Sequence, residues 1–310
     1  LPVVPINDIR VHRGDLVVAT QGRAAWILDN VALLQQLTPA TASAPLTVFR
    51  PRDGYRSNVA STLVAPTVEY YLPAAATDTV HIEVLDAQGA VVNLYRSGVR
   101  PAPAVGRRGG GDDPDESMME GRGGRSAGLA PGPQADVVGT AAGLNRFVWG
   151  MRDQQGIGAP PGRYTVRVVM GNTATAVPLR VRIDPRLAAD GTTEADLQAQ
   201  YRHNVAMRAM VQEVNAAVAR VRAAQQRLGK ATGAAADTLA RLVKVAEVLN
   251  TQPIRYGKPG LQAHISYLAG MTARGDQRVG RDAIERKAFL RAALDKVQRE
   301  LAALLGPAAP

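Results

Sequence analysis

Four histidines, one cluster of acids and two arginine–glycine runs are the side chains in this chain with the types to do chemistry. Their spacing assembles none of them into a working set. His12, His81, His203 and His264 lie far apart, no two at metal-ligand spacing, and no His-Glu-x-x-His helix is present. Structural or surface roles are expected for all four, with His81 in a strand and His203 inside a helix. Asp112, Asp113, Asp115 and Glu116 gather in a glycine-rich stretch. Such oxygen-rich loops can hold Ca²⁺, but the spacing is not that of an EF-hand and Pro114 interrupts it, so a solvated acidic turn is expected. Arg107-Arg108 before three glycines, and Gly121 to Arg125, have the make-up of segments that bind single-stranded nucleic acid. They lack interleaved aromatics, and the acids between them cancel their charge, so nucleic-acid binding is disfavoured. Arg13-Gly14-Asp15 spells an adhesion tripeptide, at a turn where glycine and aspartate are common for backbone reasons.

Other chemistries are excluded more simply. No Gly-x-Ser-x-Gly elbow, phosphate-binding loop or dinucleotide fingerprint occurs. Cysteine is absent, which removes disulfides, thiolate metal sites and cysteine nucleophiles. Glycosidase work would need two carboxylates at about 5–9.5 Å, and no pair can be nominated. The chain therefore reads as a non-enzyme, with no catalytic, cofactor-binding or metal residue and no cofactor.

The elements around these residues divide the chain sharply. Asp15–Thr20 and Ala25–Leu28 read as strands about a Gln21-Gly22-Arg23 turn, after an extended Leu1–Ile6. Val31 to Leu37 reads as a short helical or irregular link, Leu46–Phe49 and Thr67–Leu72 as strands, and the stretch holding Pro51, Asp53, Gly54 and Pro66 as loop. Val80–Leu85 alternates, Asp86–Gly89 turns and Ala90–Tyr95 returns. From Ser97 to about Gly139 there is almost nothing to bury, which predicts a flexible insertion. Leu144–Trp149, Arg163–Val169 and Thr175–Ile183 resume the strands, and several short strands between Gly/Pro turns predict a sandwich. Trp26 and Trp149 read as core anchors of this part.

The remainder is helical. Thr193 with Asp196 forms a weak capping box, and Met207, Val211, Val214, Val218, Val221 and Leu228 step as a heptad-like seam. Further helices run from about Ala235 to Asn250, with Leu239, Leu242, Ala246 and Leu249 on one face, and from Pro259 to Met271. The last opens at a cap pair, Asp282 and Glu285, and repeats the seam through Leu290, Leu294, Val297, Leu301 and Leu304. Matching seams predict an antiparallel bundle or hairpin, and serve first as that bundle's own core.

Bulk properties bound the partners. Of 310 residues, 46% are hydrophobic but only 4% aromatic, so valine, leucine and alanine must fill the core. The net charge is +10. From Pro185 onward there are 19 Lys/Arg and 11 Asp/Glu, so +8 of it lies on the helices. A basic helical surface suits an acidic partner: a protein face, anionic lipid headgroups or nucleic acid. The charges are mixed in sign along the helices, and a plain solvated surface accounts for them equally well. No apolar run approaches the roughly 18 residues of a membrane span, and no signal peptide stands in front. The first residue is Leu1, so a processed or trimmed start is expected.

Two stretches carry a resemblance. His12 to Arg23, followed by Trp26-Ile-Leu-Asp29, resembles the closing β-propeller strands of bacterial sortilin-like proteins, often labelled BNR-repeat glycosyl hydrolases. Gly143 to Arg152 with Pro161 to Arg167 resembles the Ig-like module after that propeller, and is similar to the Ig-like domain of flagellar hook-capping proteins. The helical tail resembles the same proteins' C-terminal region. The resemblance implies export, hence a periplasmic or extracellular home. A propeller needs about 4–8 blades. This chain has strands for part of one and lacks the repeated Asp-box, so the propeller's activity does not carry over.

The expectation is an α+β, multi-domain chain: 1–65 an extended segment with blade-like strands, 66–184 an Ig-like sandwich with an insertion at about 97–139, and 185–310 a helical domain. Its expected function is that of a structural subunit outside the cytoplasm, peripheral to a membrane, binding protein subunits of a larger assembly. The extrinsic face of a membrane complex is one such setting, and a bacterial photosynthetic reaction-centre complex an instance that no residue selects. The alternative is a truncated sortilin-like hydrolase-family protein that retains carbohydrate or peptide binding, for which two tryptophans and three phenylalanines supply few platforms.

Overall fold

Alternating strands need a second sheet to cover their apolar face, and the first part of the chain provides one. The computed structural model describes residues 3–12, 14–57, 65–98, 137–229, 232–254 and 257–306. The protein is α+β and multi-domain, with compact units Leu1–Arg182 and Ile183–Pro310. The acid cluster, both arginine–glycine runs and Arg13 lie outside the described residues.

The first unit opens with an antiparallel meander, β1 (Ile6–His12), β2 (Asp15–Thr20) and β3 (Ala25–Leu28). Two short helices follow, α1 (Ala32–Gln35) and α2 (Pro39–Ser43), then β4 (Thr47–Phe49), β5 (Gly54–Arg56), β6 (Thr67–Leu72), β7 (Val80–Leu85), β8 (Val91–Arg96), β9 (Gly143–Val148), β10 (Gly162–Met170) and β11 (Thr173–Ile183). A five-stranded sheet ordered β5-β11-β10-β7-β8 and a three-stranded sheet ordered β4-β6-β9 share one core. Val68, Tyr70, Leu72 and Phe147 come from the smaller sheet, and Val80, Ile82, Val84, Val166, Val168 and Val181 from the larger; all are fully buried. Trp149 is buried too, edge-on to Tyr164 at 5.1 Å between ring centroids, and the Tyr164 hydroxyl donates to Pro160 O at 2.5 Å. The β7–β8 turn closes as the sequence requires. Asp86 Oδ1 accepts from Gln88 N and Ala90 N, and Gly89 takes a φ of 83°, which a β-carbon would strain.

The strand pattern differs from the reading in four places. The N-terminal region holds three strands, because Ile6–His12 pairs with β2. Gly54–Arg56, within the expected loop, joins the larger sheet beside β11. The sandwich thus begins near Leu46, since β4 and β5 both hydrogen-bond into it. The insertion is tied down at its ends: Ser97 Oγ accepts from Val80 N, Val138 is buried, and the Tyr70 hydroxyl donates to Gly139 O at 2.6 Å.

In the second unit, α3 (Pro185–Ala189) is capped by Asp184, whose carboxylate accepts from Arg186 N. Helix α4 (Glu194–Leu228) begins at a full capping box: Thr193 Oγ1 accepts from Asp196 N, and the Asp196 carboxylate accepts from Thr193 N. Helices α5 (Ala234–Leu249), α6 (Leu261–Ala273) and α7 (Arg281–Leu305) follow. Side-chain bonds give their directions. Gln262 meets Asn215 and Thr272 O meets Gln200, so α6 runs down α4. Arg278 meets Asp196, Arg291 meets Glu213 and Gly306 O meets Arg220, so α7 runs back up beside it. The start of α5 meets the ends of α4 and α7 at Leu228, Ala235, Thr238 and Leu304. The bundle therefore has three arms, up, down and up, with the middle arm split into α5 and α6.

Met207, Met210, Val214, Val221, Leu242, Leu249, Ile265, Leu290, Leu294 and Leu301 fill the shared core, so the seams are the bundle's own. The expected cap pair on α7 is not formed. Gly280 is the N-cap with no side-chain bond, and Glu285 instead pairs with Arg281 at 2.7 Å one turn away.

Candidate functional site

The one sheet whose apolar face lacks a second sheet, among the described residues, is the meander. Its register places Ile9 opposite Val18 opposite Trp26, and Val11 opposite Leu16 opposite Leu28. These two rows share one face, because cross-strand partners and alternate residues point the same way. Val18 is 5% exposed and Leu16 is partly covered, but Ile9 is 57% exposed, Val11 68%, Trp26 44% and Leu28 48%. Trp26 is thus not the core anchor its type suggested. β3 is an edge strand, and the indole donates to Arg23 O at 2.9 Å while its ring stays open.

The meander is nevertheless fixed. After β3 the chain turns at Asn30 with a φ of 59°. Asn30 Nδ2 donates to Glu69 Oε2 at 2.6 Å, on the outer side of β6. Arg146 on β9 reaches Asp29 at 2.7 Å and Glu69 at 3.7 Å. Asp15 Oδ1 accepts from Asn30 N at 3.0 Å and from Arg52 at 2.6 Å. Burial pushes the Glu69 carboxyl up, against the pull of Arg146 and Asn30. The Asn30 backbone bond, aided by Arg52, outweighs desolvation and pulls Asp15 down. So the aspartate of the adhesion tripeptide spends its carboxylate on partners within its own chain. One carboxylate goes up and the other down, and both are held by structural partners.

The free edge of the meander is organised too. A bulge between Ile6 and Asp8 resets the alternation of β1. Before it, Pro5 O accepts from Gln21 N and so faces β2; after it, odd residues face away. Ile9 N accordingly donates outward, to Asp8 Oδ1 at 2.9 Å, and Arg10 Nε holds Asp8 Oδ2 at 3.0 Å. Edge strand β8 repeats the device. Leu94 N donates to Asn93 Oδ1 at 2.8 Å, and the outward carbonyl two residues earlier, Val92 O, accepts from Gln154 N. Side-chain capping of outward donors is one way proteins protect sheet edges.

His81 Nε2 lies 3.8 Å from Glu83 on its own strand. His203 is buried on α4 with Nε2 unpartnered; burial, then the charge of Lys287, hold its imidazole below the usual 6.5. Around it, Gln200 Nε2 donates to Thr272 O and Gly275 O, which closes the end of α6. No group of three or more His, Asp or Glu suited to a metal occurs among the described residues. Sequence reasoning missed the meander's open face: Ile9-x-Val11 marks an apolar row on β1, but Ala25 to Leu28 is apolar throughout, and no local signal says that the row stays exposed.

No family model matches the sequence, and no curated protein does. Among solved structures it is similar to PorZ, an essential bacterial surface component of the type-IX secretion system of Porphyromonas gingivalis. The two are 16% identical, and the match covers 57% of this chain and 23% of PorZ, with a TM-score of 0.18. A likeness at that score carries no argument about this chain.

Proposed function

We propose that the chain is a non-enzymatic, extracytoplasmic scaffold subunit that docks into a larger protein assembly, at a membrane periphery, through its meander. The observation that carries this reading is the apolar face of Ile9, Val11, Trp26 and Leu28, four large side chains each more than two-fifths exposed on a sheet clamped in place. A three-stranded sheet gains little from its apolar face until something covers it. The resemblance of the meander to closing propeller strands supports the same reading, since such strands pack against neighbouring sheets. The basic helical unit supports an acidic surface as a second contact. No helix among the described residues is long and apolar enough to cross a membrane, so any membrane location would come through the partner or another anchor.

The test is mild purification of the chain from its native source, wild type beside Trp26→Asp. The expected result is a stoichiometric protein partner with the wild type and its loss with the variant. A wild-type chain that emerges alone and cleaves glycans would overturn the reading, and would favour the alternative of a truncated hydrolase-family protein.

A further inference from the structure

We infer that the outer edge of β1 is a strand-addition site whose occupant is the β1 of a second copy of this chain, paired antiparallel about Ile9. The inference rests on the reading of the meander as the docking element, and names one partner for it.

Three observations lead there. The first is backbone geometry. Ile9 turns its N–H outward, away from β2, where Asp8 Oδ1 takes it at 2.9 Å. Asp8 is more than half exposed, and its one side-chain partner among the described residues is Arg10, itself 81% exposed. The cap is therefore a side-chain stand-in that an incoming carbonyl can replace. With a two-fold axis at Ile9, the Ile9 N–H of each copy donates to the Ile9 carbonyl of the other, closing a hydrogen-bonded pair.

The second is charge. The same axis sets Asp8 opposite the second copy's Arg10, and Arg10 opposite its Asp8. These are non-hydrogen-bonded positions, where opposed side chains approach most closely. The bond that now joins Asp8 to Arg10 within one strand becomes two bonds across the interface. β1 is thus self-complementary in charge in this register. A slip of one residue would instead put Asp8 opposite Ile9 and break both pairs.

The third is continuity. Opposed residues share a face, so Ile9 of each copy lies beside the other. The row Trp26–Val18–Ile9 then runs on as Ile9–Val18–Trp26 in one six-stranded sheet. The exposed apolar stripe doubles in length without turning over.

Sedimentation velocity of the full chain over a concentration series tests this. The expected result is a reversible monomer–dimer equilibrium. Arg10→Glu, which sets like charges opposite each other twice, should raise the dissociation constant about tenfold or more. The charge swap Asp8→Arg with Arg10→Glu should restore the wild-type constant. Ile9→Pro, which deletes the outward donor, should abolish the dimer. If Ile9→Pro also loses its near-ultraviolet circular dichroism, the charge-swap pair decides alone. A chain that stays monomeric up to its solubility limit would overturn the inference. So would a dimer indifferent to Arg10→Glu, or β1 cross-linked in native material to a different polypeptide. A monomer that still carries a native partner lost on Trp26→Asp sinks only the self-pairing; a native chain that emerges as a monomer with no partner sinks the docking reading as well.

Discussion

The sandwich and the meander are made of the same kind of strand and end in opposite states. In the sandwich, the alternating valines of β7 and β10 meet Tyr70, Leu72 and Phe147 from the facing sheet, and every one is sealed. In the meander, the paired strands also line up apolar residues on one face, yet Ile9, Val11, Trp26 and Leu28 remain open. The difference teaches that periodicity tells which face seeks cover, whereas the number of sheets in the fold decides whether it finds any. The ties differ as well. The sandwich is held by packing, whereas the meander is held by Asn30, Glu69, Arg146 and Asp29.

Four measurements can break or sharpen that contrast. The largest effect is expected from Trp149→Ala, which hollows the sealed core and should cost about 3–5 kcal/mol in urea unfolding followed by circular dichroism. A loss below about 1 kcal/mol would show that the two regions are not packed so differently. Next comes Asn30→Ala. It removes a 2.6 Å bond to a buried carboxylate and forces alanine into a left-handed φ, for a cost of about 2 kcal/mol. Hydrogen exchange should quicken in β2 and spare β7, and Asn30→Gly should recover the part due to φ.

A closed core also makes an unpartnered polar atom costly, and His203 tests that in the helical unit. Its folded pKa is depressed, so the stability it contributes is present above the unfolded value of 6.5 and is lost as pH falls through the folded value. The melting temperature of the helices should drop on acidification below about pH 6.5, and His203→Leu should flatten that slope. An unchanged slope would show that other groups carry the acid sensitivity. The smallest effect is expected from Trp26→Ala. Its ring is nearly half open, so stability of the free chain should change by under about 1 kcal/mol. A larger loss in free-chain denaturation would mean that the open face packs on something after all.

Much of the fold was legible because the signals were local. Thr193 and Asp196 announce the start of α4, and the 4-3 spacing of Met207 to Val221 names its buried side. Val80–Leu85 and Arg163–Val169 alternate plainly enough to be read as strands. The misses share a cause, which is that the deciding contact was distant. Nothing near Gly54 says that it will lie beside β11, and nothing near Trp26 says that its ring will find no cover. The α7 start was misread because Asp282 and Glu285 have the right spacing for a cap, while Arg281 claims the glutamate. Asn30 and Glu69, 39 residues apart, carry no joint signature at all. At the candidate site, the apolar residues could be read from the chain, but their exposure could not.

The split in the middle arm of the bundle has a further effect. Between α5 and α6 the chain folds back on itself, with Gln252 N donating to Lys258 O and Lys258 N donating to Gln252 Oε1. In an unbroken helix each added residue would turn everything downstream by about 100°, and the seam against α4 would rotate out of alignment. Here the two halves choose their alignment separately. A residue gained or lost at this join would leave each half's grip on the mast beside it in place, where the same change inside a single long helix would spoil it.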